Sequence, residues 1–150
     1  MGSLRNKVLA LVLLLFAASA CREPGSAERF VPGDGPYTFP VDMTDSLKVY
    51  DLDLYTRLDG HPEDLRQLQE LLLWMDWTSP SGRKASEKVY MPLQGRSSSF
   101  FSRQVLVPYR ADMHPVEPGE WTLVITPIGP PEELAGMGLI VTKRPWVTEN

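Results

Sequence analysis

Leu47-Lys48-Val49-Tyr50-Asp51-Leu52-Asp53-Leu54-Tyr55-Thr56-Arg57-Leu58 is the stretch that decides the fold. Tyr50, Leu52, Leu54, Thr56 and Leu58 alternate with Asp51, Asp53, Tyr55 and Arg57, and a period of two places each set on its own face of a strand. One face is buried and the other wet, as in an antiparallel sheet packed on one side. Asp59-Gly60-His61-Pro62 ends the strand.

Further strands follow at short intervals. Tyr37 to Asp42 reads as a strand that Pro40 confines to a sheet edge. Residues 65–77 fit two patterns. Leu65, Leu68, Leu72 and Met75 make a helical stripe behind Pro62-Glu63-Asp64, whereas Leu71, Leu73, Met75 and Trp77 alternate as a strand. The strand, from about Leu68 to Thr78, is the preferred reading, because Thr78-Ser79-Pro80-Ser81-Gly82 would turn it into a partner at Lys88 to Leu93. Gly95 to Ser99 reads as a polar loop before a strand over Phe100 to Tyr109. Val116-Glu117-Pro118-Gly119 suggests a type II turn into a strand over Glu120 to Ile128. Glu132 to Gly136 would form one helical turn, and Leu139 to Lys143 a last strand. With 14 prolines, 11 glycines and no internal repeat, the expected fold is all-β, an antiparallel β-sandwich of about six to eight strands.

The N-terminal end carries a different signal. Arg5 and Lys7 precede an uncharged run from Val8 to Phe16, then Ala17-Ala18-Ser19-Ala20 and Cys21, the single cysteine of the chain. This is the layout of a cleaved lipoprotein signal peptide, too short for a helix of about 20 residues that spans a bilayer. Cys21 is the expected lipidation site, carrying diacylglycerol on sulfur and a palmitate-type acyl chain on its amine, and several chains anchor where one is marginal. The expected organisation is signal peptide 1–20, lipidated N-terminus and flexible tether 21–36, sandwich 37–144 and C-terminal tail 145–150.

Loss of Arg5 and Lys7 leaves 13 basic against 19 acidic residues, a net charge of −6. That balance argues against a nucleic-acid partner, which needs a basic patch. With its only cysteine acylated the domain has no disulfide and must hold by packing.

No catalytic constellation stands out. Ser98, Asp112 and His114 could be drawn as a triad, but no Gly-x-Ser-x-Gly surrounds any serine, and both His61 and His114 sit beside prolines in turn-like contexts. Asp51 and Asp53 lack the glycine of a calcium loop, and zinc would need a His or Cys cluster, so no metal, no cofactor and no enzymatic activity are expected. Glu63-Asp64 and Glu132-Glu133 are adjacent pairs without a facing wall. Of the four tryptophans, Trp74 and Trp77 would point to opposite faces of one strand, so at least one of them enters the core. Trp121 and Trp146 remain the candidate ligand-binding residues, a glycan being the ligand class that exposed indoles suit.

The order of the lipobox, the strand Tyr50 to Arg57, the segment Ser79-Pro80-Ser81-Gly82, Glu117-Pro118-Gly119-Glu120-Trp121-Thr122-Leu123 and Leu134-Ala135-Gly136-Met137-Gly138-Leu139-Ile140-Val141 resembles the gliding-motility-associated lipoprotein GldH family of Bacteroidota. The resemblance covers about Tyr37 to Arg144. It implies a lipoprotein of the cell envelope, in the outer membrane, linked to gliding motility or type IX secretion and without catalytic residues. The expectation is a non-catalytic accessory or docking subunit. It would be held to a membrane through Cys21 and have an envelope protein as partner. The alternative is a surface glycan-binding lipoprotein.

Overall fold

The computed structural model describes residues 25–94 and 96–147; Cys21 and the whole signal segment lie outside them. The alternating stretch becomes β3 (Lys48–Asp59), the middle strand of a five-stranded antiparallel sheet. Around it the order is β1 (Ser26–Pro32), β9 (Leu134–Pro145), β3, β7 (Ser102–Met113) and β6 (Arg96–Ser99). A four-stranded sheet packs against this one, in the order β2 (Tyr37–Met43), β8 (Gly119–Pro127), β4 (Glu70–Thr78) and β5 (Lys84–Pro92). The fold is an all-β sandwich, as the turn-rich composition and the period-two pattern require.

The core lies between the sheets and is built from one alternate set of each strand. Tyr37, Phe39, Val41 and Met43 come from β2, and Tyr50, Leu52, Leu54 and Leu58 from β3. Leu71, Leu73 and Met75 of β4 meet Leu123 and Ile125 of β8 and Met137 and Leu139 of β9. Thr56 is the polar member of the β3 set and is fully buried. Its hydroxyl donates to the Gly136 carbonyl oxygen at 2.7 Å, beside the register shift where Arg57 pairs with Gly136 but Leu58 with Leu134. A bulge frees a carbonyl inside the sandwich, and the hydroxyl satisfies it.

Five expectations change. First, the expected tether 21–36 contains a strand, because Ser26–Pro32 pairs along β9 from Thr142 to Gly136. Its glycines flank the strand, and Pro32 closes it. What docks it is a close approach: Phe30 and Tyr55 are both cross-strand partners of Gly138, and their rings meet edge to face at 5.6 Å. A Cβ on Gly138 would lie 2.9 Å from the Tyr55 ring, so glycine here makes room for aromatic cover from both neighbours.

Second, the strand reading of residues 65–77 holds from Glu70, and the helical stripe does not form beyond its start. Pro62–Gln67 forms the short helix α1, with Glu63 and Asp64 in its first turn and Leu65 buried, and β4 follows from Glu70. Proline at a helix start and acids near its positive end suit each other. Third, β6 occupies most of the expected polar loop, and β7 begins at Ser102, leaving Phe100 and Phe101 at the hairpin tip. Fourth, β9 starts at Leu134, so the expected helical turn is only a bend closed by Leu134 N–H on the Pro131 carbonyl at 3.1 Å; it runs past 144 to Pro145. Fifth, Gly119 has φ +144°, not the +80° or so of a type II turn, and it opens β8 opposite Met43.

Candidate functional site

The two ends of the sandwich differ in chemistry. β3, β7 and β9 are each 12 residues long, which at about 3.3 Å per residue separates the ends by roughly 35–40 Å. At one end the chain enters: Gly25 accepts a hydrogen bond from Lys143 N–H at 2.8 Å, beside the start of β3 and the end of β9. At the other end stands the Phe100–Phe101 tip.

The tip is held, not loose. Gly60 N–H donates to the Phe101 carbonyl at 3.0 Å, and the Arg103 guanidinium to the Leu93 carbonyl at 3.1 Å. Phe100 and Phe101 meet edge to face at 5.1 Å, and the His61 ring stands edge-on to Phe101 at 5.9 Å. Both phenylalanines are largely solvent-exposed, and with His61 and with Pro62, Glu63, Asp64 and Arg66 of α1 they wall a cleft of about 600 Å³. Two consecutive aromatics cannot share one face of a strand, so Phe100-Phe101 among serines was a legible sign that at least one ring leaves the core.

At the entry end, Arg144 is the electrostatic hub. Its guanidinium reaches the two Asp51 oxygens at 2.5 and 3.0 Å and Asp112 at 2.6 Å. Asp112 has φ +52°, and its N–H donates to Asp51 at 2.8 Å. The hydrogen bonds from Arg144 hold the Asp51 carboxyl below its usual range, and both carboxylates push the Arg144 guanidinium up. Asp53 moves the other way, raised by burial and by its neighbour Asp51. The carboxylates read as a plain wet face thus include an ion-paired cluster, which forms across 93 residues of sequence and carries no local signal.

Trp146 stands next to this cluster. It is exposed, and its ring leans on His114 with centroids 4.9 Å apart, over a cleft of about 400 Å³. Trp121 has the opposite fate: half-buried against the core, it donates from its indole to the Glu117 carbonyl at 2.8 Å and meets Trp77 edge to face at 6.2 Å. Trp77 in turn stacks on Tyr109 and donates to its hydroxyl at 2.9 Å, and that hydroxyl donates to Glu87 at 2.5 Å. Burial, then the Glu87 contact, push Tyr109 up to about 12. Trp74 faces outward from β4 with its indole on Asp76, so Trp74 and Trp77 do take opposite faces. Trp121 and Trp146 therefore make no common platform.

The drawn triad does not assemble. Ser98 lies on β6, which pairs with the Ser102 end of β7, while Asp112 and His114 lie at the Met113 end. His61 is at the far end, against Phe101. Among the described residues no group of three or more His, Cys, Asp or Glu could hold a metal ion, and no helix is long and apolar enough to cross a membrane.

Comparison with known proteins finds no matching protein family and no matching curated relative. Among solved structures, the chain aligns with a family two carbohydrate esterase from Cellvibrio japonicus at 12% identity and a TM-score of 0.25. That alignment covers 79% of this chain but only 34% of the esterase. At that level it carries no inference about fold or activity.

Proposed function

We propose that this chain is a non-catalytic envelope lipoprotein, anchored through Cys21 in the outer membrane, that works as an accessory or docking subunit. Its setting would be the gliding-motility or type IX secretion machinery that the sequence resemblance suggests. The observation that carries the proposal is the separation of the two ends: the chain leaves toward Cys21 at one, and a braced aromatic knob faces away at the other. Anchored at its entry end, the domain would present Phe100 and Phe101 to the aqueous side. Aromatic anchors of this kind dominate binding energy where a partner encloses them.

Photo-crosslinking from position 101 in intact cells tests the docking role. The expected result is a discrete envelope-protein adduct that Phe101→Asp abolishes at unchanged protein level. No adduct from either position 100 or position 101 would overturn it. Fatty-acid labelling tests the anchor, and Cys21→Ala should remove the label. The glycan-binding alternative now leans on Trp146, since Trp121 faces into the sandwich. A glycan array that binds the protein but not Trp146→Ala would favour it.

A further inference from the structure

The structure shortens the leash. With Ser26–Pro32 built into the sheet, only three residues, Arg22, Glu23 and Pro24, separate Cys21 from Gly25, a path of four residue steps. Four residues span at most roughly 14 Å even when fully extended. The headgroup zone of one leaflet is about 5–8 Å deep. Tied to acyl chains by this leash, Gly25 can lie no more than about 6–9 Å beyond the headgroups, so the entry end stays within reach of the lipid surface.

That end is built for contact. Leu47 lies in the β2–β3 loop, Val116 in the β7–β8 loop, and Trp146 and Val147 just after β9, all at the end where Gly25 meets Lys143. Their exposures are 77%, 83%, 59% and 75%. Scattered apolar side chains on a surface need no explanation. Here Val116, Leu47 and Val147 are the three most exposed of the ten large exposed hydrophobics among the described residues, and they share one end with a tryptophan. Indole rings favour the membrane–water interface, where an apolar body and a polar N–H are both satisfied. The charge at this end is mixed and gives no basic patch: Arg144 is taken by Asp51 and Asp112 and Arg83 pairs with Glu117, while Lys48 and Lys143 stand among Asp42 and Asp45.

We infer that the entry end of the sandwich is a lipid-facing surface, on which Leu47, Val116, Trp146 and Val147 enter the headgroup region of the bilayer that holds Cys21. The inference rests on the lipid-anchor reading above. Phe100 and Phe101 cannot share this role, because the leash is far shorter than the strands that separate the two ends. The contact is apolar, so uncharged phosphatidylcholine suffices and added salt does not weaken it.

The test uses the lipidated full-length protein in phosphatidylcholine vesicles whose acyl chains are brominated near the headgroup. Tryptophan emission should fall relative to unbrominated vesicles, and Trp146→Phe should lose most of the quenchable signal, because Trp77 and Trp121 pack against the core and Trp74, though outward-facing, sits mid-strand on β4, back from the entry end. The triple variant Leu47→Ser, Val116→Ser, Val147→Ser changes exposed positions only and should reduce quenching at Trp146 while the label on Cys21 persists. A labelled protein whose quenching is nil, or is equal with and without Trp146, overturns the lipid-facing surface and leaves the anchor standing. An unlabelled protein overturns both.

Discussion

Gly119 offers the sharpest test of the packing between strand ends. It has φ +144°, and a Cβ placed there would lie 2.6 Å from Pro80 Cγ and 3.0 Å from Pro80 Cβ. Replacing it with valine imposes two separable costs. A β-branched residue held at positive φ is strained by about 1–3 kcal/mol. Pressing its side chain into the Ser79–Arg83 turn adds about 1–3 kcal/mol of overpacking. The total is about 2–6 kcal/mol, and for a domain of this size each kcal/mol lowers Tm by about 3–5 °C. Thermal unfolding of Gly119→Val should therefore show a fall on the order of 10–20 °C. A double-mutant cycle separates the causes. Pro80 is exposed, so Pro80→Ala by itself should be mild. It removes the Cγ that makes the worst contact, and Gly119→Ala should then cost about 1 kcal/mol less in the Pro80→Ala background than in the wild type. Strictly additive effects would refute the predicted contact with Pro80, and an unchanged Tm in Gly119→Val would refute the strained backbone as well.

Two further outcomes follow from polar contacts. Thr56→Val keeps the shape of the buried side chain but strands the Gly136 carbonyl, so the urea midpoint should drop by an equivalent of about 1–2 kcal/mol with the slope unchanged; an unshifted midpoint would mean the bulge satisfies itself another way. Arg144→Gln removes the partner that holds Asp51 below its usual 3.8. A carboxylate lowered in the folded state contributes stability that is present above its unfolded value and lost as pH falls through the folded one. The stability gap between wild type and Arg144→Gln should thus be full near neutrality and close in acid below that value; a gap independent of pH would count against the ion pair.

The sandwich itself was legible because burial imposes period two, and the chain obeys it wherever one face is covered. β3 reads off Tyr50 to Leu58 residue by residue, and Pro40 correctly marks β2 as an edge strand. The alternation Leu71, Leu73, Met75 also survives as the inward face of β4. The lipobox is read from linear composition alone, and Cys21 lies outside the described residues, so the anchor stands as part of the proposal.

What local pattern does not encode is partnership between distant segments. Ser26–Pro32 has no strand signature, and becomes β1 because Gly136 and Gly138, more than 100 residues later, leave room for Phe30. The Arg144 cluster, the inward turn of Trp121 and the grouping of Leu47, Val116 and Trp146 at one end each depend on which loops the topology gathers. By itself the sequence determined that the domain is a β-sandwich and where an anchor would attach. The tertiary structure decided how close such an anchor would hold it, because only strand pairing consumes the length of chain that would otherwise have been a tether.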